Sequence, residues 1–158
     1  AKANTEAEYL ALTDKMLEAS DLVIGQEYAP TEFDWRVGVL EGEALFVCKY
    51  FMARGHWQIY NWGSRRRSDV WGQYETLAVE DAPQAVVQVA VKAARLMGNG
   101  LYGVDIKEID GKPVVIEIND NPSIEAGVED QVLGMALYDA IIAALRRRVE
   151  ARREGEQK

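Results

Sequence analysis

The chain has 158 residues, of which 48% are hydrophobic and 28% are charged, and its 18 basic and 26 acidic side chains give a formal charge of −8. This composition is that of one folded domain. It excludes disordered and low-complexity chains, and its acidic balance argues against a nucleic-acid partner. No apolar run reaches the roughly 20 residues that cross a bilayer, so no membrane partner is expected. The single cysteine favours a reducing, cytoplasmic setting.

The N-terminal segment combines a helical pattern with one short apolar run. Apolar side chains at helical spacing predict a helix over residues 6–19, with Asn4 or Thr5 as its N-cap. Residues 21–28 begin apolar and turn polar before Pro30. We expect this run to be a strand that leaves the core.

Two strand-like runs follow, at residues 34–40 and 44–50. The loop between them, residues 41–43, contains a glycine, and such a loop is typical of an antiparallel hairpin. Cys48, inside the second run, is expected to be a buried small hydrophobe. Residues 51–80 contain three of the four tryptophans in no regular pattern, which predicts packed but irregular structure.

The C-terminal half contains the clearest elements. In chain order they are a helix capped by Asp81 and ended by residues 98–100, a hairpin of strands 101–109 and 114–119 around a loop at 110–112, and a helix over residues 129–152. No internal repeat or linker is visible in the sequence. The pattern therefore predicts an α+β fold, in which an antiparallel sheet has flanking helices.

The second hairpin has one polar and one apolar face, because side chains alternate along a strand and opposite residues share a face. With a loop at 110–112, Asp105 lies opposite Glu117. Gly103, which leaves room for a ligand, lies opposite Asn119. The other face is apolar and is expected to point into the core: Val104, Ile106, Ile116 and Ile118.

Asp105 and Glu117 should repel each other unless a cation lies between them. Lys107, on the same face, could supply that charge. A divalent cation is the other candidate, because Asp105, Glu117 and Asn119 form the oxygen-rich set that Mg²⁺ or Mn²⁺ prefers. Spacing alone leaves both interpretations open.

These hairpin residues resemble a known motif. An Asp on one strand, then a Glu and an Asn two apart on the next, running into a Pro-containing turn, closely resembles the C-terminal metal motif of ATP-grasp ligases. The nearest resemblance is to the RimK-like branch, the ATP-dependent α-L-glutamate ligases that join carboxylates to amines. It implies that Asp105, Glu117 and Asn119 bind Mg²⁺ or Mn²⁺ beside ATP, and that the reaction passes through an acyl phosphate.

The resemblance extends to residues upstream of the hairpin. Residues 23–28 look like the hinge strand that holds adenine, which implies that Glu27 and Tyr28 contact the nucleotide. Asp34 and Arg36 look like the family's Asp-x-Arg, with the Asp at the nucleotide and the Arg as the catalytic group that reaches phosphate or substrate. Without the family, Asp34 and Arg36 could simply form an exposed ion pair.

Asn61 resembles the family's asparagine near the γ-phosphate and the metal. In the RimK-like pattern that asparagine follows an Arg-Ser pair, whereas residues 59–60 are Ile-Tyr here. The phosphate-binding arginine is therefore unassigned. Lys49, Arg54 or one of residues 65–67 could replace it.

For the domains, the resemblance implies a remnant of the first ATP-grasp subdomain at residues 1–20, the C-terminal subdomain at 21–152 and a disordered tail at 153–158. The sequence has no glycine-rich phosphate loop, which the first subdomain supplies in this family. We therefore expect the C-terminal half of a larger Mg-ATP-dependent ligase. Carboxylate and amine substrates are expected for the intact enzyme, and this half by itself is expected to be inactive.

The alternative is a non-enzymatic module. Such a module would bind a metal ion or a nucleotide and would work mainly by association. Half of a ligase would also expose apolar surface that normally faces the other half, so a homo-oligomer is a further prediction.

Overall fold

The computed structural model describes residues 1–156, and the chain divides into two units, Ala1–Pro30 and Thr31–Lys158. This division falls later than the domain boundary after residue 20 that the resemblance implies. Among the described residues, no helix combines the length and the hydrophobicity needed to cross a membrane.

The first unit contains helix α1, Glu6–Leu17. Thr5 is its N-cap, and the Thr5 hydroxyl accepts a hydrogen bond from the Glu8 amide at 3.2 Å. The Glu8 carboxylate accepts one in return from the Asn4 amide at 2.7 Å. The bond from the Glu8 amide satisfies a donor that the first helical turn leaves without a partner, and the helix forms as predicted.

The strand predicted at residues 21–28 is absent, so the prediction is wrong on this point. A strand needs a neighbour for its backbone N–H and C=O groups, and none of the described strands pairs with this segment. Its apolar side chains remain exposed, at 76% for Leu22 and 86% for Ile24. An apolar run alone therefore did not identify a strand here.

The second unit is built on a five-stranded antiparallel sheet, in the order β3-β2-β1-β4-β5. The strands are β1 Phe33–Leu40, β2 Glu43–Phe51, β3 Tyr74–Leu77, β4 Leu101–Ile109 and β5 Lys112–Asn119. The predicted α+β class and both predicted hairpins are confirmed. Strand β3 is four residues long, lies inside the tryptophan-rich stretch and was not predicted.

Helix α2, Gln84–Met97, packs on one face of the sheet, and helix α3, Met135–Glu156, packs on the other. The α2 core contains Trp35, Val37, Val39, Val47, Val104 and Ile106. The α3 core contains Phe46, Cys48, Leu137 and Ile141. Since side chains alternate along a strand, Arg36 lies on the α3 side of the sheet, between two residues that face α2. Cys48 is buried, as predicted.

Both helices begin at different residues from those predicted. Asp81 lies in a short 3₁₀ turn and does not cap α2, whose N-cap is Pro83. Helix α3 begins at Met135 and not near residue 129. Gly134 has a left-handed φ of 54°, which interrupts helical geometry, and Glu129 is only 1% exposed because its side chain is used in the interior.

The C-terminal end of α3 runs further than predicted. The helix reaches Glu156, so the segment expected to be a disordered tail from residue 153 is helical up to that point. Residues 157–158 lie outside the described residues. Several apolar side chains of α3 are exposed: Met135, Ile142, Leu145 and Val149. Self-association through such surface stays a prediction.

Both hairpins turn through two residues and not through the predicted three. The turn residues have positive φ angles, of 51° at Glu41, 82° at Gly42, 51° at Asp110 and 71° at Gly111. Positive φ at both positions is the pattern of a type I′ turn, whose twist matches that of the flanking strands. Each hairpin also contains one register shift, at which its second strand has one extra residue. This extra residue compensates for the turn being one residue shorter than predicted. Asp105 therefore lies opposite Glu117, as predicted.

Between this shift and the turn, the second hairpin differs from the prediction. Ile106 lies opposite Val115, and Lys107 lies opposite Val114. Val115, and not Ile116, packs against the α2 core. The extra residue in β5 changes which side chains face the core.

Candidate functional site

Arg36 and Asp105 form the centre of the polar face. They are directly opposite across β1 and β4. Arg36 Nε donates to Asp105 Oδ1 at 2.7 Å, and Arg36 Nη2 donates to Asp105 Oδ2 at 2.8 Å. Both side chains are mostly buried, and the hydrogen bond with Asp105 raises the pKa of the Arg36 guanidinium. The pair is a charge-assisted fork with fixed geometry.

A second cross-strand pair lies further along the same face. Lys107 Nζ donates to Asp34 Oδ1 at 2.6 Å and to the Thr31 hydroxyl at 2.7 Å, and that hydroxyl donates to Asp34 Oδ1 at 2.7 Å. Asp34 therefore pairs with Lys107, and the alternative in which Asp34 pairs with Arg36 is wrong. The alternative that Lys107 neutralises Asp105 and Glu117 is also wrong, because Lys107 bonds to Asp34 and Arg36 bonds to Asp105.

Glu117 and Asn119 complete the predicted set on β5. Asn119 Nδ2 donates to Asp105 Oδ2 at 3.4 Å. The Glu117 side chain is exposed, and within residues 1–156 its carboxylate has no hydrogen-bond or ion-pair partner. The structure thus brings Arg36, Asp105 and Asn119 into direct contact and places Glu117 beside them.

These residues fit a divalent cation that takes only part of its ligands from protein. The described part of the chain contains no group of three or more His, Cys, Asp or Glu side chains that could hold a metal ion. The set here has two carboxylates and one amide. A carboxylate offers about four lone-pair sites, so Asp105 can bind Arg36 and a cation together. Mg²⁺ is usually held by one or two carboxylates, with water and phosphate oxygens as the other ligands.

Gly103 has a different role from the one predicted. A Cβ at this position would lie 2.8 Å from Pro122 Cβ and 3.8 Å from Arg36 Cδ. Its space is filled by the turn that follows β5, not left open for a ligand. The glycine lets Pro122 pack directly on β4, which fixes the end of the strand that carries Asn119.

A cavity of about 210 Å³ adjoins this polar face. Arg36 and Tyr50 are part of its wall, and the Arg36 guanidinium carbon is 5.4 Å from the centroid of the Tyr50 ring. The Tyr50 hydroxyl donates to Glu129 Oε1, and Glu129 Oε2 accepts from the Glu125 amide at 2.7 Å. Burial, reinforced by the Glu129 hydrogen bond, raises the pKa of Tyr50. A buried carboxylate therefore fixes both the ring beside Arg36 and the loop that faces it.

Tyr50 and Glu129 were not predicted as site residues from the sequence. Their contact joins positions 79 residues apart, and Glu129 was expected to begin a helix. No local pattern in the sequence indicated this contact. Only the pairing of β1 with β2 and the packing of the loop after β5 brings the two together.

The other predicted site residues lie elsewhere. Asn61 is in a loop, where its amide donates to the Val70 carbonyl at 2.7 Å. It does not line the cavity, whereas the preceding Tyr60 does. Glu27 and Tyr28 belong to the first unit, in which the Tyr28 ring lies 3.8 Å from Lys2 Nζ. Their nucleotide roles stay predictions.

One candidate for the unassigned phosphate-binding group is on the wrong side of the sheet. Lys49 pairs with Glu75 at 2.8 Å, and its ammonium lies 5.4 Å from the Trp35 ring centroid. Trp35 is part of the α2 core, so Lys49 lies on the face opposite Arg36. Arg54, from the same set of candidates, is exposed.

Comparisons with known proteins agree with this architecture. Residues 72–145 match the family model of the RimK-like ATP-grasp domain. A probable alpha-L-glutamate ligase of Xanthomonas oryzae pv. oryzae (strain MAFF 311018) is 38% identical over 74 residues, which are 47% of this chain and 24% of that protein. The matched segment includes β4 and β5, and hence Asp105, Glu117 and Asn119.

The fold is shared with solved ligases. The D-alanine–D-alanine ligase of Bacillus anthracis complexed with ATP superposes with a TM-score of 0.69 at 18% identity, covering 94% of this chain and 51% of that one. Another structure of this ligase has a TM-score of 0.65 at 17% identity, with the same coverage. The chain thus spans about half of that ligase and about a quarter of its curated relative. Segment 72–145 is thus similar to the RimK-like ATP-grasp domain, and the fold of the chain agrees with that similarity.

Proposed function

We propose that this chain is part of an ATP-dependent carboxylate–amine ligase that binds Mg-ATP and works through an acyl phosphate. The observation that carries the proposal is the contact of Arg36 with Asp105, which lies next to Glu117 and Asn119 in the segment similar to the RimK-like ATP-grasp domain. A cytoplasmic location belongs to the same proposal. It is supported by Cys48, which is buried and the only cysteine of the sequence.

The proposed chemistry has two steps. An oxygen of the substrate carboxylate attacks the γ-phosphorus of ATP, and the bond from that phosphorus to the bridging oxygen breaks and releases ADP. The amine nitrogen of the second substrate then attacks the acyl carbon. The carbon–oxygen bond to phosphate breaks, so that phosphate and one proton are released as the amide forms.

The protein's contribution is mainly positioning and charge. Asp105, Glu117 and Asn119 would hold Mg²⁺ or Mn²⁺, which when bound neutralises charge on the transferring phosphoryl group. Arg36 uses Nε and Nη2 on Asp105, and its Nη1 makes no hydrogen bond within the described residues. We propose that this remaining nitrogen donates to an oxygen of the acyl phosphate.

We propose that four further residues contact the nucleotide: Glu27, Tyr28, Asp34 and Asn61. The observations that support these four roles differ in number. Asp34 is fixed by Lys107 and Thr31 on the same sheet face as Arg36, whereas Glu27 and Tyr28 are supported by the family pattern alone. The carboxylate and amine substrates are also part of the proposal.

Titration calorimetry of Mg²⁺, with and without ATP, tests the site. Glu117→Gln removes one charge from an exposed residue and should not disturb folding. We expect it to weaken Mg²⁺ binding by roughly ten-fold, since one of two carboxylate ligands is lost. Glu108→Gln, the same change at an exposed position on β4, is the matched control. Equal Mg²⁺ affinity in both variants and the parent chain would show that the metal site is wrong.

ATP turnover separates the ligase from the alternative. We expect Mg-ATP binding without appreciable turnover by this chain alone. Phosphate release by a preparation that includes the remaining part of the ligase would support the enzymatic role. Binding with no phosphate release in any such preparation would favour a non-enzymatic module.

A further inference from the structure

We propose that the cavity beside Arg36 binds the amine acceptor, and that it selects an ammonium group attached to a flat or apolar side chain. This inference rests on the proposed function, because it names the substrate class for the same site. The cavity and the ion pair share Arg36, which lines the cavity while it holds Asp105. A ligand in the cavity therefore lies next to the group proposed to hold the acyl phosphate.

The size of the cavity limits what it can hold. A closed apolar cavity of about 150 Å³ admits benzene. The volume of about 210 Å³ here accommodates one six-membered ring with a short chain of atoms. A side chain or a small molecule of amino-acid size would fill this volume.

The wall is largely aromatic. Tyr60 and Trp71 pack edge to face, with ring centroids 4.7 Å apart. Tyr50 and Tyr74 add two further rings. Burial raises the pKa of Tyr60. Flat apolar groups and cations both bind well against such rings.

The aromatic wall is held by a short backbone clasp. Tyr60 and Trp71 form an isolated bridge, and the Gly72 amide donates to the Ile59 carbonyl at 2.9 Å. A Cβ at Gly72 would lie 1.7 Å from the Phe51 carbonyl oxygen, so the clasp packs directly on β2. The clasp thus holds the backbone that carries the Tyr60 and Trp71 rings.

The charges of the wall favour a cation. Among the described residues that line the cavity, Arg36 is the only basic one, and both of its bonds to Asp105 neutralise it. Glu129 is buried and is used by Tyr50 and the Glu125 amide. The Glu125 side chain is exposed and has no partner within residues 1–156. An ammonium group would pair with Glu125, whereas an acidic side chain would meet two carboxylates.

Three probes test the two parts of this preference by calorimetry. L-phenylalanine amide carries the ring and one positive charge, L-alanine amide carries the charge without the ring, and 3-phenylpropanoate carries the ring with a negative charge. We expect L-phenylalanine amide to bind roughly ten-fold more tightly than either of the others. Equal or tighter binding of 3-phenylpropanoate would overturn the charge preference. Equal binding of L-alanine amide, or no binding by any probe, would overturn the pocket.

A variant at the cavity mouth locates the probe. Glu125→Gln keeps the backbone amide that bonds to Glu129, and we expect it to weaken L-phenylalanine amide roughly five-fold without weakening 3-phenylpropanoate. Glu108→Gln, away from the cavity, should leave both affinities unchanged. Equal binding by Glu125→Gln and the parent chain would overturn the assignment of Glu125.

Titrating Mg²⁺ into the same preparation distinguishes a failure of the proposed acceptor pocket from a failure of the proposed ligase function. Mg²⁺ binding that depends on Glu117, without binding of L-phenylalanine amide, would overturn the pocket and leave the metal site standing. Binding of L-phenylalanine amide without any Mg²⁺ binding would contradict the proposed function. In that case the cavity would bind L-phenylalanine amide, but this ligand could no longer be assigned as the amine acceptor of a ligase.

Discussion

Arg36 and Asp105 face each other across β1 and β4 and share two hydrogen bonds, of 2.7 and 2.8 Å. The carboxylate at the centre of the proposed metal site is thus already balanced by a permanent cation. Glu117 is then the charge in this group that protein does not neutralise. We therefore expect the pair to affect both the stability of the polar face and the affinity of the proposed metal site.

Replacing Arg36 by Gln should affect these two properties in opposite directions. The free energy of unfolding should fall by about 2 kcal/mol, because the mostly buried Asp105 loses its partner. Mg²⁺ affinity should rise roughly three- to ten-fold, because a competing positive charge is removed. Urea denaturation and Mg²⁺ calorimetry measure the two effects. Lys49→Gln, on the other face of the sheet, is the control, and weaker Mg²⁺ binding by Arg36→Gln would contradict the prediction.

Replacing Tyr50 by Phe tests the buried contact with Glu129. The change leaves Glu129 Oε1 without its donor inside the protein, so stability should fall by about 1–3 kcal/mol. The comparison is with Tyr102→Phe, since the Tyr102 hydroxyl has no hydrogen-bond partner within residues 1–156. Thermal and urea denaturation of both variants measure the difference. Equal stability of the two would show that the Glu129 contact is not needed.

Cys48 should give stability a pH dependence. Burial raises the pKa of its thiol to about 11, whereas an exposed thiol titrates near about 8.5. Between these values the unfolded chain loses the proton and the folded chain keeps it. Stability from this group is therefore complete below about pH 8.5 and declines as pH rises towards 11, by roughly 3 kcal/mol. Cys48→Ala should show a shallower decline in urea denaturation between pH 8 and pH 10.5, and parallel curves would refute the effect.

Gly72→Ala should disrupt the clasp that carries Tyr60 and Trp71. Its Cβ would lie 1.7 Å from the Phe51 carbonyl oxygen, so backbone must move. We expect a loss of at least about 2 kcal/mol in stability. Gly63→Ala is matched in chemistry and location, but its Cβ meets only Asn61 Oδ1 at 3.6 Å, an ordinary contact. If the two variants denature at the same urea concentration, the clasp does not require glycine.

Prediction from sequence succeeded where a pattern was local. Alternation identified both hairpins, and the pairing of Asp105 with Glu117 was correct. That success involved two compensating errors, because the turn is one residue shorter than predicted and β5 has one extra residue between the turn and Glu117. A two-residue turn followed by a bulge gives the same distal register as a three-residue turn, so the sequence did not distinguish them.

Prediction failed where a contact joined distant segments. The partner of Asp105 is Arg36, 69 residues earlier, and that choice depends on β1 pairing with β4. The apolar run 21–28 had a strand-like composition but no neighbouring strand. Both cases depend on which segments the fold brings together, and local residue patterns do not contain that information.

The register shift in β5 has a mechanical consequence. Because the strand already accommodates one surplus residue next to Glu117, a turn one residue longer without this bulge would give the same pairing of Asp105 with Glu117. A single residue added at Asp110-Gly111 is therefore expected to leave Asp105, Glu117 and Asn119 at their present spacing. The tip is thus a place where a related chain could be one residue longer without moving the charged groups at the other end.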